Sequence, residues 1–130
     1  MQFENKIHRI AGWLGLAAAT LGGIVLAGWW LGSDPLASFR FEGAPIRANT
    51  AACQVLTGVG LWLMARRSPR GAVIGCAATV LVLCVGTLLE HLFGWNLHLD
   101  QLLATDRSSP EYFPFPGRMS VGACLGYGLL

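Results

Sequence analysis

The residues whose types and spacing could do chemistry gather in one stretch. Glu90, His91, Trp95, His98 and Asp100 fall within the polar segment LEHLFGWNLHLDQLLATDRSSPEYFPFPGRMS, residues 89–120. Arg118 lies near its end, and Arg47 stands at the matching place ahead of an earlier apolar run. Glu90 is the acidic residue that lies well inside an apolar run. An ionisable group there is a functional candidate by default. Counted from Gly71, it is about 28 Å along a helix, near an interface rather than mid-bilayer. Arg47 and Arg118 are expected at the same level. A carboxylate bridging two arginines would tie neighbouring helices together, and its protonation or displacement would move them. The bland alternative is a carboxylate solvated by headgroups and water. His91 and His98 flank Trp95, and histidine changes charge near neutral pH. Metal ligation would need more ligands at defined spacing than Glu90 and Asp100 supply, so no metal is expected.

Other chemistries find little support. No serine sits in a nucleophile turn beside a base, and the glycines are spread along apolar runs rather than gathered in a phosphate loop. The expectation is a chain that is not an enzyme by itself. The four cysteines, Cys53, Cys76, Cys84 and Cys124, all lie in apolar runs without C-x-x-C spacing. They read as small buried residues. The sequence points to no cofactor.

The elements that position these residues belong to a membrane protein. Of 130 residues, 54% are hydrophobic and 12% charged, and mean hydropathy is +0.54. Soluble domains carry about 25% charged residues. The net charge of +2 is too small to suggest nucleic acid. The pattern predicts one all-α membrane domain over 1–130, a helical bundle with three complete spans and the start of a fourth. The spans are 10–31, 49–65 and 71–93, then an outer segment 94–118 and the start of the fourth at 119–130. The first run, about 33 Å long as a helix, exceeds a hydrocarbon core of about 30 Å. It is also longer than a signal peptide's apolar region.

Small residues recur along the first run at Ala11, Gly15, Ala19, Gly23 and Ala27, predicting a face for close helix contact. Gly28-x-x-x-Gly32 and Gly122-x-x-x-Gly126 are further packing candidates. Trp29 and Trp30 mark an interface. Asn49 or Thr50 is expected to cap the second helix, and Gln54 to make an interhelical hydrogen bond. Leu97, Leu99, Leu102 and Leu103 alternate with polar residues, consistent with a short amphipathic turn at the interface. The Tyr112–Pro116 stretch is expected to be extended. The last run is 12 residues, about 18 Å, too short to cross; the expectation is that the chain continues past Leu130.

Arg66, Arg67 and Arg70 crowd a short loop with Pro69, which implies a tight hairpin. The positive-inside bias puts that loop in the cytoplasm, and Lys6 and Arg9 with it. The N-terminus is then cytoplasmic, and loops 32–48 and 94–118 face outward. The expected partners are the lipid bilayer and other transmembrane helices, through self-association or as subunits of a larger complex.

Two segments match. Residues Arg47 to Cys53 and Arg118 to Cys124 both run from Arg to Ala-Cys over the same spacing, each shortly after a proline at the outer start of a helix. This suggests a duplicated helix hairpin; a shared need for a cap and an interfacial arginine is the alternative.

With these residues in view, the chain resembles the N-terminal membrane-embedded input region of bacterial sensor histidine kinases and diguanylate cyclases. The resemblance rests on Asn49-Thr50-Ala51, on Phe93-Gly94-Trp95-Asn96-Leu97-His98-Leu99-Asp100-Gln101-Leu102-Leu103, and on Pro116-Gly117-Arg118-Met119-Ser120. Ala48 stands where that pattern has proline, and Val121-Gly122 replaces part of the second helix start. The resemblance implies a multi-pass sensory or signal-relay domain in the bacterial cytoplasmic membrane, without the output domain that would carry catalysis. A chain of this kind also suits a second class, a small structural or accessory subunit of a larger membrane complex such as an energy-converting or photosynthetic assembly.

Overall fold

The computed structural model describes residues 2–33, 36–37, 46–99, 102–104 and 117–130. Among these the regular structure is entirely helical. The helices are α1 (Gln2–Leu31), α2 (Ala48–Ala65), α3 (Arg70–Phe93) and α4 (Val121–Gly128).

α1 begins in the polar leader rather than at the first apolar residue, because no proline or glycine stops a helix before Ile10. Two segments are long and apolar enough to cross a membrane, Asn5–Leu31 with mean hydropathy 1.9 and Arg70–Phe93 with mean hydropathy 2.5. Expected as a full span, α2 does not reach that standard. It has 18 residues, and Asn49, Thr50, Gln54 and Thr57 dilute its apolar content. The fourth run forms only the eight-residue α4. The expectation of three complete spans is therefore met by two helices.

The contact between α1 and α2 is the most extensive, followed by α2 with α3 and then α3 with α4. α1 and α2 run antiparallel. Gly12 faces Ala65, Gly15 faces Gly58 and Trp62, and Gly22 faces Ala51 and Val55. This differs from the row expected from sequence. Gly15 and Ala19 lie in the contact, but Gly23 meets nothing within 4 Å, and Gly22 takes its place. Ala11 and Ala27 are only half-buried. A spacing of four outruns the 3.6-residue turn, so such a row drifts around the helix; the 3-4-3 spacing of 12, 15, 19 and 22 stays on one side. Gly122 and Gly126 likewise meet nothing within 4 Å, so neither packs against another described residue. Gly28 lies against Leu36 and Ala37 rather than against α2, α3 or α4.

The helix ends are also specific. α2 closes in a Schellman motif: Ser68 N donates to Leu63 O and Arg67 N to Met64 O, both at 3.0 Å. Arg67 takes the left-handed position at φ 53, where glycine is usual. α3 ends on Gly94 at φ 64. Its buried positions Val80, Cys84 and Thr87 share a helical face with Glu90. α4 is capped by Ser120, whose hydroxyl accepts from Ala123 N at 3.2 Å. Replacing Ser120 with alanine is expected to destabilise the fold by about 1 kcal/mol, read as a lower unfolding midpoint in detergent.

Cys53, Cys84 and Cys124 join Val80 and Met119 in one buried cluster where α2, α3 and α4 meet. All four cysteines are free thiols, with Cys76 half-buried. Gln54 is half-buried, and its side chain forms no hydrogen bond among the described residues.

Candidate functional site

At the end of α3 the chain turns back on itself around Glu90, which is completely buried. The left-handed Gly94 ends the helix and lets the backbone return past it. Leu97 N then donates to Glu90 Oε1 at 2.7 Å. Arg118 is 8% exposed. Its Nη2 donates to Trp95 O at 3.1 Å and its Nη1 to Glu90 O at 3.5 Å. Its Nε stands 4.0 Å from Glu90 Oε2. Of these three contacts the ionic one is the longest, and the two shorter ones go to backbone oxygens. The guanidinium therefore clips the returning segment to the end of α3 while partly offsetting the buried carboxylate.

His91, the next residue on α3, reaches the same strand of chain. Its Nε2 lies 3.0 Å from Met119 O. A carbonyl oxygen only accepts, so the imidazole donates from Nε2. Met119 itself is fully buried in the cysteine cluster. Glu90, His91 and Arg118 thus join the end of α3 to the residues just before α4.

Trp95 contributes its carbonyl to Arg118. The residue is 54% exposed, and its ring stacks on Phe93 with centroids 4.9 Å apart. His98 does not pair with His91 across Trp95. It is exposed, takes φ 59, and its backbone N donates to Asn96 Oδ1 at 3.1 Å. Arg47 is half-buried at the N-cap position of α2. Asp100 lies outside the described residues, as do Tyr112–Pro116.

The expected cap of α2 is absent. Arg47 occupies the N-cap position without a side-chain hydrogen bond to the helix end. Asn49 lies inside the first turn, 1% exposed, and its Nδ2 donates to Leu99 O at 2.6 Å. The side chain expected to cap the helix instead tethers the outer segment. Asn49 Oδ1 and Thr87 Oγ1 are buried and find no hydrogen-bond partner among the described residues. Sequence reasoning missed Thr87; the available signal was its place one helical turn before Glu90. Leu99 and Leu103 turn inward and are half-buried, while Leu97 and Leu102 stay exposed. Two indole groups fasten the outer connections. Trp29 Nε1 donates to Ile46 O at 2.6 Å, and Trp30 Nε1 to Leu103 O at 3.3 Å.

Among the described residues no three His, Cys, Asp or Glu side chains are grouped to hold a metal ion. Chemically, the arrangement can hold charge, exchange hydrogen-bond partners, and couple the loop after α3 to the start of α4. Fold and site together define an all-helical protein with two potential membrane-crossing helices and a buried carboxylate–arginine node at one end. No protein-family model, curated protein or solved structure matches the chain.

Proposed function

We propose that this chain is a membrane-embedded input domain that senses or relays a signal and performs no catalysis itself. It resides in the bacterial cytoplasmic membrane as a multi-pass protein with its N-terminus in the cytoplasm. α1, α2 and α3 are its spans, and α4 begins a fourth. The support for membrane residence is physical. Only 17% of the apolar window of either long helix is buried. Trp13 at 69%, Ile74 at 64% and Val82 at 67% exposure present apolar surface outward. Such a surface is costly in water and favourable in lipid. α2, about 27 Å long, approaches the hydrocarbon thickness and lies antiparallel against α1. Lys6, Arg9, Arg66, Arg67 and Arg70 are carried at one end, which the positive-inside bias favours for the cytoplasm.

The observation that carries the signalling reading is the buried Glu90–Arg118 contact. It links α3, the outer segment and the approach to α4 through one charged node. A ligand or proton that altered the node would change how α4 is held and send the change inward. Paired segments ending in Cys53 and Cys124 support descent from a duplicated hairpin, since both thiols reach the same core.

One observation favours the accessory-subunit reading. Gly122 and Gly126 leave an open small-residue face on α4, which a helix of another subunit could cover. Mild detergent extraction of native membranes, followed by mass determination of the particle, separates the two. A polypeptide that includes a kinase or cyclase domain upholds the input-domain reading. A 13.9 kDa chain held with stoichiometric foreign subunits overturns it in favour of the subunit.

A further inference from the structure

At the end of the molecule opposite Glu90, a cavity of about 590 Å³ opens between the first turns of α1 and the end of α2. That volume is in the range of small-molecule sites. His8, Arg9 and Trp13 line it from α1, and Trp62, Arg66 and Arg67 from α2 and its cap. Among the side chains the structure describes, which in α1 begin at Asn5, no carboxylate is in its wall, and none pairs with Arg9, Arg66 or Arg67. Three guanidinium groups around one concavity repel each other when it is empty, and an anion relieves that repulsion.

Two further details set this apart from an ordinary basic edge. The Arg66 guanidinium lies 4.8 Å over the Trp62 ring, which holds a planar donor fork beside the cavity. Arg67 occupies the left-handed position of the Schellman motif at φ 53, where glycine would sit without strain. An arginine there is poorly suited to the backbone and well suited to an anion.

We propose that this cavity binds a phosphate group, carried by the headgroup of an anionic lipid. The proposal rests on the membrane reading above. The lining changes from arginine to Trp13, Leu16 and Trp62 within one concavity. Trp13 and Leu16 are 69% and 42% exposed along the same helix. A phosphate joined to acyl chains satisfies both halves of such a surface. A free phosphate satisfies only the first. Basic pockets between membrane helices on the positive side are suited to this chemistry.

The test uses the full chain in neutral detergent, with thermal unfolding followed during titration by phosphatidylglycerol, phosphatidylcholine or inorganic phosphate. Phosphatidylglycerol is expected to raise the midpoint saturably, and the other two are not. R9Q and R66Q should each weaken half-saturation roughly fivefold. R70Q removes a charge at the same end but outside the cavity, and should change it less than about twofold. R67G is the most informative variant. Without lipid it should unfold at the same or a higher temperature than the parent, because glycine accepts the left-handed backbone. It should nevertheless bind phosphatidylglycerol about fivefold more weakly. An equal response to phosphatidylcholine, or an R70Q loss matching that of R66Q, overturns the site. Saturation by inorganic phosphate alone overturns the lipid and makes a soluble phosphate the ligand. Alkaline carbonate washing of membranes distinguishes the two levels of failure. A chain released by carbonate removes the membrane reading together with this one. A chain retained without lipid selectivity removes this proposal alone.

Discussion

Arg118→Ala is expected to destabilise the protein by about 3–5 kcal/mol, the usual consequence of removing one partner from a buried charged pair. Glu90 is 0% exposed and Arg118 8% exposed, so water cannot readily replace what is lost. Two losses combine. The buried carboxylate loses a positive charge 4.0 Å away, and Trp95 O loses the donor 3.1 Å away. Glu90→Gln should cost less, about 1–3 kcal/mol, because the amide oxygen can still accept from Leu97 N, bonded at 2.7 Å in the parent. The double variant Glu90→Gln/Arg118→Ala should be less destabilised than the sum of the single variants, with a coupling of about 0.5–3 kcal/mol. Equilibrium unfolding in detergent would measure all of these. An Arg118→Ala cost below about 1 kcal/mol would match an exposed pair, and the node could not then serve as a switch between α3 and α4.

Gly58→Leu carries the second large effect. A Cβ at this position would stand 2.5 Å from both Ala19 N and Gly15 O. Both atoms are backbone and cannot rotate aside, so α1 and α2 must separate. Overfilling a packed interior costs about 1–3 kcal/mol when side chains can adjust; here the expected loss is at or above the upper end. It falls on the most extensive interface of the fold. Gly23→Ala is the matched control, since a Cβ there meets nothing within 4 Å. It should stabilise the helix by about 0.5–1 kcal/mol. Opposite signs at these two positions would establish that α2 meets α1 at Gly58 and that the Gly23 position of α1 is turned away from that contact. If both substitutions were neutral in unfolding experiments, the close contact would be refuted.

The candidate site is partly legible in the amino-acid sequence. Glu90 stands out as an ionisable residue inside an apolar run, and a count along the helix puts Arg118 at its level. The hidden part is what the arginine does. Two of its hydrogen bonds go to the backbone oxygens of residues 90 and 95, and a backbone oxygen carries no mark in a sequence. Asn49 shows the same limit. Its type and place before an apolar run are those of a cap, yet its side chain finds Leu99 O from across the fold. Local pattern reports which bonds a residue can make. The partner chosen depends on what the fold brings alongside.

By itself the sequence determined the helical character, the order of the helices, and the crowding of arginines at one hairpin. These follow from hydropathy, residue spacing and turn chemistry, which act over a few residues along the chain. Only the tertiary structure decided that Gly22 rather than Gly23 faces α2, that His91 reaches Met119, that three cysteines share one core, and that Arg9 and Arg67 line one cavity. Each of these depends on the rotation of one helix against another. A helix turns about 100° per residue, so a displacement of a single position changes which side chains meet.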